Sequence, residues 1–193
     1  MLFRDDAAGA PHLAFVCNSN TADQILLTES DDGVHWAAPA NASRAVFMAG
    51  RPHCWDANGV AAGAQPERLS SGDYLYVYNI DTGFPYRPNP LGRCAIGWAI
   101  LDREDPSRIV ARSTAPLLVA SLPWETCPEG KGRSCQEPMV VFTTGMKPLG
   151  NDTFLLFYGA ADTDVGVAKI TVRIRDKTVG TPVSNDSVGP ELL

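Results

Sequence analysis

Asp162 follows the apolar run Phe154-Leu155-Leu156-Phe157-Tyr158 after three residues with almost no side chain, Gly159, Ala160 and Ala161. A second apolar stretch, Val165-Gly166-Val167-Ala168, comes directly after it. Small residues let a bulky ligand approach the backbone, and the carboxylate is then the polar group that meets it. A hairpin with an Asp in its turn has the same spacing, so spacing alone leaves both readings open. The aromatic residues Trp55, Tyr78, Phe84, Tyr86, Trp98 and Trp124 add flat faces for stacking, although most aromatics in a β-fold fill its core. Of these, Trp55 and Tyr86 are the candidate platforms. The Gly83–Pro90 stretch carries three prolines and is stiff enough to form a pocket rim.

Strands separated by turn residues must position these groups. Runs of Val, Ile, Tyr and Phe between Gly, Pro, Asn and Asp clusters predict strands at His12–Cys17, Gln24–Thr28, Tyr74–Asn79, Ala95–Leu101 and Ile109–Arg112. Further strands are predicted at Leu117–Ala120, Met139–Thr143, Phe154–Tyr158, Val165–Ile170 and Thr171–Arg175. No segment has convincing helical periodicity. The 17 glycines and 15 prolines suit an all-β chain better than a helical one. A loose repeat pairs Phe15-Val16-Cys17 with Ile25-Leu26-Leu27, Val77-Tyr78-Asn79 with Ile96-Gly97-Trp98, and Leu156-Phe157-Tyr158 with Val165-Gly166-Val167. Its spacing is that of propeller blades with long insertions. One domain is expected over residues 1–176, followed by a flexible tail over 177–193 that is rich in Gly, Pro, Ser and Asp.

Composition narrows the function classes. The chain has 193 residues, 45% hydrophobic and 20% charged, enough for one sizeable core. A net charge of −6 argues against a nucleic-acid surface, and no apolar run is long enough to span a bilayer as a helix. Cys17, Cys54, Cys94, Cys127 and Cys135 fit no zinc-ligand spacing, so no metal is expected. Cys127 and Cys135 flank a loop that a local disulfide would close in an oxidising compartment. The start Met1-Leu2-Phe3-Arg4-Asp5-Asp6 has no secretory pattern, which implies either an intracellular protein or a leader lying upstream. Sequons at Asn41, Asn151 and Asn185 lean the other way, towards a secretory route.

Ser30-Asp31-Asp32-Gly33-Val34-His35-Trp36 reads as a structural turn. It resembles the Asp-box turn of sialidase-like propellers, one residue short, and the S-x-D-G-x-x-W turn of five-bladed glycosidases. His35 reads as a packed or solvated residue.

Four ordered segments carry a wider resemblance. Tyr158–Ala168 resembles the closing signature of family 130 glycoside hydrolases and phosphorylases, enzymes acting mostly on β-mannosides. Trp55-Asp56, Gly59, Gly63, Gln65-Pro66 and Tyr74–Tyr78 are similar to the family's W-D…G-x-G-x-P-P…G-W-L-x-x-Y-H-G-V region. Ala99-Ile100-Leu101-Asp102, Glu104-Asp105-Pro106, Ile109, Arg112, Pro116 and Leu117 resemble its A-L-L-D-L-x-D-P…R…P-L run. Trp124-Glu125, Val140-Val141-Phe142 and Gly145 resemble the Y-E…V-V-F-x-x-G run that follows.

The resemblance implies a five-bladed β-propeller of which this chain holds about three blades. It implies an oligosaccharide or glycoside substrate, with Asp162 binding hydroxyls of the sugar beside the scissile bond. A carboxylate suits that role because it accepts several O–H bonds. Asp56, Arg112, Trp55 and Tyr86 are the other substrate-binding candidates. Glycoside cleavage needs a pair of carboxyl groups, or one acid and an external nucleophile. The family's general acid lies in a G-x-E-D-P-R neighbourhood that has no counterpart here, so the acid is expected to be missing and Glu125 is the best remaining carboxylate. Asn58 and Asn79 stand where phosphorolytic members carry Lys and His, and an uncharged amide cannot balance a phosphate dianion. Hydrolysis is therefore expected over phosphorolysis, with no cofactor and with phosphate disfavoured as co-substrate. The other readings are a non-catalytic carbohydrate-binding remnant and a sialidase- or furanosidase-like propeller. Exposed blade edges would also allow self-association.

Overall fold

The computed structural model describes residues 10–17, 24–81, 93–127, 135–173 and 187–192. These residues form three antiparallel sheets that follow one another along the chain. The first holds β1 (His12–Cys17), β2 (Gln24–Ser30) and β3 (Val46–Ala49). The second holds β4 (Val60–Ala61), β5 (Glu67–Arg68), β6 (Tyr74–Asp81), β7 (Cys94–Leu101), β8 (Ile109–Arg112) and β9 (Leu118–Val119). A single helical turn, α1 (Pro123–Thr126), leads to the third sheet. That sheet runs in the order β10 (Val141–Gly150), β11 (Thr153–Ala160), β12 (Asp164–Arg173) and β13 (Ser187–Leu192). The chain is thus all-β and supplies three propeller blades, as expected.

The middle sheet is buried on both faces, and β6 shows why its sequence lacks a polar alternation. Tyr74, Tyr76, Tyr78 and Ile80 pack with Leu13, Phe15, Ile25, Leu27 and Phe47 of the first sheet. Leu75 and Val77 face the other way, into a cluster with Leu156, Tyr158 and Ile170 of the third sheet. Successive side chains of a strand point to opposite faces, so a strand between two packed sheets is apolar except where, as at Asn79, a buried polar group is fully hydrogen-bonded. Strand β7 follows in register: Ile96, Trp98 and Ile100 join the third-sheet cluster, while Ala99 and Leu101 join the first.

The repeat has a structural counterpart in two tyrosine–glycine pairs. Tyr78 of β6 sits opposite Gly97 of β7, and Tyr158 of β11 sits opposite Gly166 of β12. A Cβ on Gly97 would lie 2.7 Å from the Tyr78 ring, and one on Gly166 would lie 2.2 Å from the Tyr158 ring. Each tyrosine therefore lies flat across a glycine of the neighbouring strand, a close approach that only glycine permits.

The differences from the expected strands have local causes. β3, β4 and β5 have four residues or fewer, too short for a periodic signal. The two strands expected at Val165–Ile170 and Thr171–Arg175 are one, β12, because no turn residue separates Ile170 from Thr171. β10 starts at Val141 and runs on to Gly150, with register shifts at Thr143/Gly145 and, directly after Pro148, at Pro148/Gly150. Within the tail expected to be flexible, Ser187–Leu192 pairs along β12 as the outer strand of the third sheet.

Candidate functional site

Asp162 occupies the turn between β11 and β12. Ala161 (φ 50°) and Asp162 (φ 49°) are both left-handed, and the Thr163 N–H closes the turn on the Ala160 carbonyl at 3.1 Å. Two consecutive positive φ values are the pattern of a tight type I′ hairpin, in which Asp is better tolerated than most residues. The Asp162 side chain is exposed, and its carboxylate makes no hydrogen bond or ion pair among the described residues. A hairpin Asp and an available ligand group thus coexist at this position. The turn is held from outside as well. The Ala161 N–H donates to the Val140 carbonyl (2.9 Å), and the Glu137 N–H donates to the Ala161 carbonyl (3.2 Å).

Asp56 lies in a different environment. It is fully buried and bonded to charged neighbours on both oxygens. Arg51 Nε donates to Oδ1 at 3.0 Å, and Arg51 Nη2 lies 2.9 Å from Oδ2. Tyr78 donates its hydroxyl to Oδ2 at 3.1 Å and accepts from Arg112 Nε at 3.0 Å. Arg112 Nη2 is 2.6 Å from Oδ2, an ion pair outside hydrogen-bonding angles, and its guanidinium sits 5.0 Å over the Tyr78 ring. The Ser113 carbonyl ties the cluster together, accepting from Arg51 Nη2 (2.6 Å) and from the Trp55 indole (3.2 Å). Burial pushes the Tyr78 hydroxyl above the ordinary phenol range, against the opposing pull of Arg112.

Glu125 repeats this arrangement one blade on. It too is fully buried. One carboxylate oxygen accepts from the Ser121 and Leu122 amides (2.8 and 2.9 Å), and the other accepts from the Tyr158 hydroxyl at 2.7 Å. Trp124 stacks on Tyr158 with centroids 6.1 Å apart. Burial, and then the Glu125 carboxylate, raise the Tyr158 hydroxyl well above the usual phenol range. Trp55-Asp56 with Tyr78 and Gly97, and Trp124-Glu125 with Tyr158 and Gly166, are therefore two copies of one device. In each, the acid of a tryptophan–acid dipeptide earlier in the chain accepts the hydroxyl of a tyrosine laid across a glycine.

Two of the expected site residues are committed inside the fold. Asp56 is shut off from solvent, with both oxygens engaged by Arg51, Arg112 and Tyr78. Glu125 is not a free acid, because three donors saturate it in the interior. Arg112 is also committed, reaching the Ala49 carbonyl at 2.8 Å besides Asp56 and Tyr78. Trp55 is half-buried, and Tyr86 lies outside the described residues, as does the rest of the Gly83–Pro90 rim. Arg51 and Ser113 escaped the sequence reading of the site, as did the roles of Tyr78 and Tyr158 as partners of buried carboxylates. Only the tyrosine–glycine register between paired strands could have signalled the last two.

Asn79 is buried and bridges two sheets. Its amide nitrogen donates to the Ala62 carbonyl (3.0 Å) and the Thr143 carbonyl (3.3 Å), and its oxygen accepts from the Thr143 N–H at 2.7 Å. The Ser30–Trp36 turn is organised by Asp32, which accepts from the Val34 and His35 amides at 2.8 and 2.7 Å and meets the His35 ring at 2.7 Å. These bonds hold the exposed Asp32 carboxyl below the usual range, the His35 side chain first among them. His35 is exposed, and the turn is structural. Cys127 and Cys135 form a disulfide. Among the described residues, no group of His, Cys, Asp or Glu could hold a metal ion.

Three successive antiparallel sheets, of three, six and four strands, are the blades of a β-propeller, and comparison with known proteins places them in a family. The model of family 130, described as beta-1,4-mannooligosaccharide phosphorylase, matches residues 12–176. The chain belongs to this family. A beta-1,2-mannobiose phosphorylase of Thermoanaerobacter sp. (strain X514) is 32% identical over 123 residues, 64% of this chain and 35% of the relative. A 1,2-beta-oligomannan phosphorylase of the same organism is 34% identical over 122 residues, 63% and 36% of the two chains. The chain therefore spans about a third of the length of these relatives. The solved beta-1,2-mannobiose phosphorylase of Listeria innocua superposes with a TM-score of 0.66 at 21% identity, covering 88% of this chain and 43% of that one. A glycosyl hydrolase of Bacteroides ovatus gives 0.63 at 22%, covering 84% and 43%. At these identities the two structures establish the fold.

Proposed function

We propose that the chain forms three blades of a propeller that processes β-mannosides, and that Asp162 is its sugar-binding carboxylate. The observation that carries this is the family match across all three sheets, with Asp162 exposed on a rigid turn and its carboxylate uncommitted. A carboxylate fixed on a tight turn loses little freedom on accepting sugar hydroxyls. Asp56 and Glu125 are saturated in the interior, so neither is proposed as the acid that protonates the leaving sugar. Trp55 remains a candidate stacking face.

Of the two chemistries, we propose phosphorolysis, with inorganic phosphate as co-substrate. Both curated relatives are phosphorylases, and the family model carries the same description. Asn79 supplies no cation for phosphate, its amide being occupied between sheets, so the charge that balances the dianion must come from other residues. Arg51 and Arg112 leave one positive charge beyond Asp56, and the Arg51 side chain is 29% exposed, which suits an anion nearby. The test uses the longest native reading frame containing this chain. It should convert a β-1,2-linked mannoside only when phosphate is present, yielding mannose 1-phosphate. Asp162→Asn should weaken substrate binding tenfold or more while leaving stability unchanged. Release of free mannose without phosphate would support hydrolysis, and unchanged binding by Asp162→Asn would remove Asp162 from the site.

A further inference from the structure

The turn that carries Asp162 is gripped by residues 136 and 137, which are held on one side by Met139, whose N–H donates to the Glu125 carbonyl at 3.0 Å, and on the other by Cys135. The Glu137 N–H donates to the Ala161 carbonyl at 3.2 Å, and the Gln136 N–H donates to the Thr163 hydroxyl at 3.2 Å. That hydroxyl in turn donates to the Ala161 carbonyl at 2.9 Å, so Thr163 links the turn to its clamp. Glu137 also pairs with Arg93, but both side chains are more than a third exposed, and ion pairs of this kind contribute little. The segment is joined through Cys135 to Cys127, the residue that ends α1. Cys127 is buried two residues beyond Glu125, whose bonds to Ser121, Leu122 and Tyr158 fix α1 in the third-sheet core.

We propose that the Cys127–Cys135 disulfide and the Thr163 hydroxyl position the Asp162 turn, making its geometry dependent on oxidation. With the bridge closed, residues 135–137 are tethered to an immobile anchor and their two amide bonds to the turn persist. With the bridge reduced to two thiols by an external dithiol, which becomes a disulfide, residues 135–137 are tethered at the Met139 end alone, and their two bonds must offset the ordering of the freed end. Backbone ordering is costly enough per residue that they fail to do so. Cys135 is half-exposed and gives a reductant access, whereas Cys127 is not. Thr163 is a positioning residue, acting through the turn on Asp162. This inference rests on the assignment of Asp162 only for its consequence in binding.

Amide hydrogen exchange on the whole chain, with and without dithiothreitol, tests it. Reduction should lower protection at Gln136 and Glu137 about tenfold or more while β11 and β12 keep theirs. Thr163→Val should lower protection at Gln136 in the oxidised chain, and Thr163→Ser should restore it. Unchanged protection on reduction, a uniform loss across the third sheet, or intact Gln136 protection in Thr163→Val would each overturn the proposal. Affinity for β-1,2-mannobiose, measured in parallel, separates the two assignments. If the amides loosen and affinity holds, the clamp stands and the sugar-binding role of Asp162 fails.

Discussion

Replacing Glu125 by alanine should cost this protein about 3–5 kcal/mol of unfolding free energy, a large share of the roughly 5–15 kcal/mol available to a domain. The figure comes from the partners it would abandon. The Leu122 amide and the fully buried Tyr158 hydroxyl lose their acceptor, at about 1–3 kcal/mol each. The void left by the side chain adds to this, while the Ser121 amide, on an exposed residue, can turn to water. Tyr158→Phe removes a single bond to a charged acceptor and should cost about 1.5–3 kcal/mol. In the double variant the two losses overlap, with a coupling of about 1–3 kcal/mol. Glu125→Gln, which keeps an acceptor for the amides and offers the tyrosine a donor, should be the mildest. Urea unfolding followed by tryptophan fluorescence reads all four chains, since Trp124 stacks directly on Tyr158. A Glu125→Ala cost within about 0.5 kcal/mol, the range of an ordinary surface change, or an absent coupling would refute the anchor and return Glu125 to the list of solvated carboxylates.

Two further outcomes follow from the same interior. Asn79→Ala should cost about 2–4 kcal/mol in urea unfolding, because the Thr143 N–H and two carbonyls lose their partner, and Asn79→His should not rescue it. Tyr76, Tyr78 and Tyr158 all keep their protons above the ordinary phenol value, mainly through burial. Above about pH 10 the unfolded chain releases protons that the folded chain retains, so stability falls as pH rises through that range. Tyr158→Phe should flatten the alkaline fall measured by pH-dependent urea midpoints, and an unchanged slope would contradict the raised value.

The sequence made the architecture legible because strand signals here are local. Runs such as Tyr74–Asn79 and Ala95–Leu101 sit between turn residues, and the structure extends them by a few residues at most. It made the family legible because motif order needs no coordinates. The roles of the acids were not legible. Asp56, Glu125 and Asp162 each follow an aromatic or small-residue stretch, and sequence spacing gives all three as groups available to a substrate. Whether a carboxylate meets solvent or a buried guanidinium depends on residues far away in the chain: Arg112 lies fifty-six positions from Asp56, and Tyr158 lies 33 from Glu125.

The sequence by itself determined an all-β chain of about three blades, its place in family 130, and Asp162 in the turn between two apolar strands. Packing decided which carboxylates are free. A buried acid is tolerable only where donors converge on it, and convergence is a property of three dimensions. In this fold Arg51, Arg112 and Tyr78 converge on Asp56, and two amides and Tyr158 converge on Glu125, while the tight turn at Ala161–Asp162 holds the third carboxylate out in solvent.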